Sequence, residues 1–170
     1  MLTDNIRKAL NDQLQAEFYS AYLYLSMSAY FDDQGLEGMA NWMTVQFEEE
    51  QSHALKLFRY IIERGGRPEL QAIEQPQRDW DSPVAAFEAS LDHERMISGR
   101  INDLADLAVK EKDHATHNML QWFISEQVEE EANVESIVSQ MKMVGDAGPG
   151  LFMIDREMKG RTFVNEAAGA

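Results

Sequence analysis

The sequence predicts an all-α chain folded as a four-helix bundle with one long crossover and a short fifth helix, and three observations carry that prediction. Breaking signals are sparse and widely spaced, at Gly35, at Gly65-Gly66 with Pro68, at Pro76 and Pro83, and from Gly145 to Gly150. Between these marks apolar residues recur every three to four positions, the period of a helix with one buried face. The connections run short, long, short, which restricts how the helices can be arranged.

The first helix takes Thr3 or Asp4 as N-cap and turns Ile6, Leu10, Leu14, Phe18, Ala21 and Leu25 inward up to about Asp33. The second runs from Leu36 to Arg64, with Met39, Met43, Phe47, Ala54, Leu57 and Ile61 on its apolar face, and stops at the Gly-Gly pair. For the third, Ser82 caps and Pro83 fills the first turn, where a missing N–H goes unnoticed. It carries Phe87, Leu91, Ile97, Ile101, Leu104 and Ala108. After a polar break at Lys112-Asp113 the fourth holds Leu120, Phe123, Val134, Ile137 and Met141 and ends at Gly145. Leu151-Phe152-Met153-Ile154 with Asp155-Arg156-Glu157 follows a Gly-Pro-Gly break and makes an amphipathic helix over about residues 150–160. Alone it is too short to be stable, so it is expected to pack against neighbouring subunits. Residues 165–170 make a flexible tail.

Helices of about thirty residues are about 45 Å long. Turns of two or three residues around Gly35 and near Lys112 force each flanking pair to be antiparallel. The stretch from Gly66 to Asp81, extended at about 3.3 Å per residue, reaches back along the whole bundle. A single domain over residues 1–170 follows, with the bundle over about 4–145.

Composition narrows the partners. Thirty acidic residues against 15 basic give a formal charge of -15, which disfavours nucleic acid and anionic membranes and favours cations. With no cysteine, a disulfide framework, thiolate metal sites and iron–sulfur clusters are excluded, so any metal is held by carboxylate and imidazole. No run of 18 apolar residues offers a membrane span, and Met1-Leu2-Thr3-Asp4-Asn5 lacks the basic start of a secretory signal, so a cytoplasmic protein is expected.

Several acids interrupt the apolar stripes instead of lying opposite them. Glu17 falls among Leu10, Leu14, Ala21 and Tyr24; Glu50 and His53 form Glu-x-x-His in line with Met43, Phe47 and Leu57. Glu94 shares a face with Phe87, Leu91 and Ile101, and Gln127 with Glu130 lies in line with Leu120, Phe123 and Val134. A displacement of 77 residues maps Glu17 onto Glu94, Glu50 onto Gln127 and His53 onto Glu130, so one hairpin echoes the ligand spacing of the other. A lone Glu-x-x-His arises easily on a charged surface helix. Four core-facing glutamates on four helices do not, because each buried unpaired carboxylate costs about 2 kcal/mol or more. Two divalent ions neutralise all four, and hard oxygen donors suit iron or manganese. Glu17, Glu50 and His53 would make the tighter site; Glu50 as bridge with Glu94 and Glu130 the looser one.

These motifs resemble those of prokaryotic non-haem ferritins over nearly the full length. The matching pieces are Gln15-Ala16-Glu17 with Tyr19 and Tyr24, Phe47 to Ala54, Glu94, Gln121-Trp122-Phe123, and Ser125 to Glu131. The resemblance implies a ferroxidase centre for two irons at Glu17, Glu50, His53, Glu94, Gln127 and Glu130, with Tyr24 beside it. It implies O2 or H2O2 as oxidant and ferric mineral stored in a shell of twenty-four copies. A third iron is implied at Glu49, Glu126 and Glu129, for which a solvated acidic stripe is the competing reading. Haem is not expected, because Gln51 stands where bacterioferritins carry the haem-ligating methionine. Tyr24 is either core packing or a hydrogen-bond and electron donor. His114 and His117 are read as solvated or capping, Trp122 as packing, and His93 is left unassigned. A di-iron enzyme acting on an organic substrate and a metal-free structural bundle are the rival readings.

Overall fold

A computed structural model describes residues 1–145, 147–165 and 167. The helices are α1 (Asp4–Asp33), α2 (Glu37–Glu63), α3 (Pro83–Lys110), α4 (His114–Val144) and α5 (Pro149–Met158), and no strand occurs among the described residues. Thr3, Ser82 and Asp113 cap α1, α3 and α4, each side chain accepting from an N–H in the first turn. Leu36 gives α2 no such cap. Its free N–H groups are met from the far end of the chain, where Asp155 Oδ1 in α5 accepts from Gly38 at 2.8 Å and Met39 at 2.9 Å. Position 38 must be glycine, since a Cβ there would lie 1.6 Å from the Asp155 carbonyl oxygen.

α1 packs along α2, α3 along α4, and the two hairpins join through α1 and α3. The crossover, residues 64–82, lies on the outside of α1, tied by Asn11 Oδ1 accepting from Glu69 N (2.7 Å) and Ser26 Oγ donating to Gln77 O (2.7 Å). α2 and α4 face each other across a wider seam in which no Cα atoms of described residues come within 8 Å. Side chains span it, including the paired Arg64 and Asp113 at one end.

The apolar core is divided in two. One block holds Tyr24, Met27, Phe31, Met43, Phe87 and Val134; the other holds Leu10, Leu14, Leu57, Ile97, Leu120 and Phe123. Each of the four long helices passes from one block to the other through a polar layer. Two details depart from the sequence reading. Leu25 is 41% exposed, and Phe18, Phe47 and Ile137 are only half-buried. Three- and four-residue steps taken from Glu17 reach Ala21, Tyr24 and Met27, so Leu25 falls one position off the buried line. The apolar side of α5, with Leu151, Ile154 and Met158, is buried against α2 and α4 of its own chain, leaving Phe152 and Met153 exposed. Beyond α5 the chain runs along α2, where Asn41 Nδ2 donates to the carbonyls of Met158 and Arg161. Of the tail, Asn165 and Ala167 are described; positions 166 and 168–170 lie outside the described residues. No helix among the described residues is long and apolar enough to cross a membrane.

Candidate metal centre

The polar layer contains Glu17 (1% exposed), Glu50, His53, Glu94 (1%), Gln127 and Glu130, one or two from each long helix and all buried. The 3.6-residue period delivers them: Glu50 and His53 sit one turn apart on α2, as do Gln127 and Glu130 on α4. Glu17, Glu50 and His53 each offer a ligand atom within 4.8 Å of the others, and His53 Nδ1 lies 3.7 Å from Glu50 Oε2. Glu94 and Glu130 stand outside this tight group but act on it electrostatically.

Three of the carboxylates, Glu17, Glu94 and Glu130, are held in place by neutral donors. Glu17 Oε1 accepts from Gln13 Nε2 at 2.8 Å, and Gln13 Oε1 in turn accepts from Arg100 Nε at 3.1 Å. Glu94 accepts from the Tyr24 hydroxyl and, at 3.1 Å, from Gln127 Nε2, which also faces the Glu94 carbonyl at 3.2 Å. The amide of Gln127 is thus turned onto Glu94. Glu130 Oε2 accepts from Gln46 Nε2 at 2.9 Å.

Among the described residues the layer holds no buried lysine or arginine. Burial, followed by the fields of Glu94, Glu17 and Glu130, pushes Glu50 well above the carboxylate range. Burial also raises Glu94, against the opposing hydrogen bonds from Tyr24 and Gln127. Glu130 is lifted to about 8 by burial and then by Glu94 and Glu49, and Tyr24 is raised by burial and by Glu94 and Glu50. Glu17 Oε2 is buried with no hydrogen-bond donor. A buried lone pair without a donor, beside carboxylates that retain protons, is the condition a cation relieves.

Glu49, Glu126 and Glu129 line a cleft of about 70 Å³ in the α2/α4 seam, which touches His53 and Glu130 at its floor. The sequence reading did not foresee its other wall: Arg161, beyond α5, whose Nη2 lies 2.6 Å from Glu49 Oε2. Nor did it select Gln13, Gln46 or Arg100. Gln13 and Gln46 stand four residues before Glu17 and Glu50, so helical spacing alone could have found them. His93 is also buried, its Nε2 2.7 Å from Ser20 Oγ, and burial lowers its pKa to about 4, so it serves as a neutral support behind Tyr24. His114 is exposed and His117 half-buried, away from the centre, and Asp113 is the α4 cap. Trp122 packs edge-on to both His53 and Phe123.

Residues 7–144 match the family model described as a ferritin-like domain. A probable bacterial non-heme ferritin-like protein of Haemophilus influenzae is 42% identical over 158 residues, covering 93% of this chain and 96% of that protein. A bacterial non-heme ferritin of Staphylococcus aureus is 38% identical over 166 residues, covering 98% and 100%. Among solved structures, an open-pore ferritin from the archaeon Archaeoglobus fulgidus superposes with a TM-score of 0.94 at 48% identity, covering 95% of this chain and 99% of that one. An engineered closed form of the same ferritin gives 0.95 at 48% identity. With buried carboxylates at the waist of its bundle and these likenesses along nearly its whole length, the chain belongs to the ferritin family, in its bacterial non-haem branch.

Proposed function

We propose that this protein is an iron-storage ferritin: it oxidises Fe(II) at a di-iron centre within each subunit and keeps the Fe(III) as mineral inside a hollow shell. The observation that carries the reading is the buried set of four glutamates and His53, with no lysine or arginine buried among the described residues beside them. Two ferrous ions supply it, one at Glu17, Glu50 and His53, the other at Glu50, Glu94 and Glu130. Each ion gives up one electron, and O2 takes the pair with two protons to become H2O2, or H2O2 takes them to become two waters. Carboxylates favour the ferric product because hard oxygen donors bind the higher charge more strongly. Glu94 is oriented by Tyr24 and Gln127, Glu17 by Gln13, and Glu130 by Gln46. The cleft with Glu49, Glu126 and Glu129 is a third iron site and the way out. Likeness to ferritins described as open-pore and closed forms supports assembly into a shell, which we take to be the twenty-four-subunit one, in the cytoplasm and without haem.

Anaerobic Fe(II) titration of the metal-free protein, followed by air, tests this with absorbance and size-exclusion chromatography on the same samples. We expect saturation near two to three irons per chain, then mineral growth within a very large assembly. A small oligomer that binds two irons per chain and never mineralises would instead indicate a di-iron enzyme; no iron uptake at all would leave a structural bundle. Tyr24→Phe removes the hydroxyl on Glu94 and keeps the ring in its core block. Its initial oxidation rate should fall about tenfold, the usual effect of losing a residue that orients a ligand, with iron stoichiometry unchanged. A rate equal to wild type in stopped-flow would reduce Tyr24 to packing.

A further inference from the structure

The guanidinium of Arg161 makes four contacts among the described residues. Nη2 lies 2.6 Å from Glu49 Oε2 and also donates to Gln46 Oε1; Nη1 donates to the Trp42 carbonyl at 3.3 Å; and the guanidinium carbon sits 4.4 Å from the Trp42 ring centroid. Gln46 passes its other end to Glu130 at 2.9 Å. One guanidinium therefore grips an acid of the outer cleft and, through a neutral amide, an acid of the inner centre. It also forms a wall of the cleft shared by Glu126, Glu129 and His53.

Arg100 makes a useful contrast. It supports Glu17 through Gln13 in the same order of arginine, glutamine and glutamate and, like Arg161, also donates to a carbonyl, Asp12 O at 2.8 Å, but it sits within α3. That support is fixed. Arg161 lies past the last helix, in a segment held to α2 by side chains: Asn41, and Lys159 paired with Glu37 at 2.6 Å. Such a segment opens at far lower cost than a helix in the core. Arginine does not give up its proton, so Glu49 is released only if the guanidinium moves.

We propose that Arg161 is a tethered cation that closes the acidic cleft between α2 and α4 while the cleft holds no metal, and that a metal ion entering there displaces it together with residues 159–165. The inference rests on the reading of Glu49, Glu126 and Glu129 as a third site. Occupancy of that site and release of residues 159–165 are then one equilibrium, and the grip of Gln46 on Glu130 changes with it. The third metal binds more weakly than its carboxylates alone would allow, which suits a site that must pass iron onward.

The test uses Zn²⁺, which binds without oxidation, on the assembled full-length protein. Isothermal titration compares wild type, Arg161→Ala and Arg161→Lys; hydrogen exchange follows residues 159–165 as Zn²⁺ is added. Loss of a charge-assisted contact to Glu49 should tighten the third equivalent about tenfold in Arg161→Ala, with Arg161→Lys falling between it and the wild type. In wild type, exchange at 159–165 should speed up as the third equivalent binds and not before. Equal third-equivalent affinity in wild type and Arg161→Ala, or exchange that ignores the third equivalent, overturns the tethered cation alone. Failure of Glu126→Gln/Glu129→Gln to remove the third equivalent, or its absence from every variant, overturns the third-site reading and the tethered cation with it.

Discussion

Glu50→Gln is expected to slow iron oxidation by at least about 100-fold while making the metal-free protein more stable. The opposite signs have one cause. Of the buried acids, Glu50 is the one on which Glu94, Glu17 and Glu130 all act, which places it at the middle of the charge cluster. As the bridging ligand its loss exceeds the 10- to 100-fold effect typical of residues that merely orient a ligand, hence a minimum of about 100-fold. Without metal the same carboxylate is a burden, driven toward its protonated form by burial and by its neighbours. Glutamine keeps the shape and removes the charge, so the melting temperature of the metal-free variant should rise, by about 2–4 °C for each kcal/mol gained. Zn²⁺ should raise the wild-type melting temperature far more than that of the variant. Stopped-flow oxidation and thermal unfolding with and without Zn²⁺ check all three expectations; a variant that oxidises iron at the wild-type rate would remove Glu50 from the centre.

The second large effect is on pH. Glu130 has a pKa of about 8 in the folded protein against an ordinary value of 4.5, and Glu50 and Glu94 are shifted in the same direction. Between those values the folded chain binds more protons than the unfolded one, so stability falls as pH rises through the window. The contribution of Glu130 is complete below about pH 4.5 and lost above about pH 8, with an upper bound of about 5 kcal/mol. Metal reverses the dependence, since ligands must shed their protons to bind, and Zn²⁺ binding at pH 7 should release protons into the buffer. Denaturant unfolding at pH 5.5, 7 and 8.5, with and without Zn²⁺, reads both slopes. A metal-free protein whose stability is flat over this range would mean that the four acids are already neutralised from within.

The glutamates of the waist were legible because a carboxylate on an apolar stripe is costly and therefore conspicuous. Glu17, Glu50, Glu94 and Glu130 each broke a pattern that the surrounding leucines, methionines and phenylalanines had set. Connection lengths served the topology equally well, since a three-residue turn leaves a chain no choice but to reverse. The supporting residues were harder. Gln13 and Gln46 are neutral, break no pattern of charge, and become meaningful only when Arg100 and Arg161 are seen behind them. Arg161 meets partners more than a hundred positions away, a contact that no local period encodes. The docking of α5 escaped for a similar reason: an amphipathic decapeptide announces that it will be covered, and the covering surface is decided by the cap that α2 lacks.

That missing cap links two distant stretches of the gene. Asp155 reaches the amides of Gly38 and Met39 only because nothing stands on the Cα of residue 38, and any side chain there would meet the Asp155 carbonyl. A mutation at either position spoils the fit of the other, so neither can drift alone. Glycine 38 and the last helix are inherited as a pair: a lineage that shed the C-terminal helix would be released from glycine at once, and would need a serine, threonine or aspartate before α2 to hold the helix that carries Glu50 and His53.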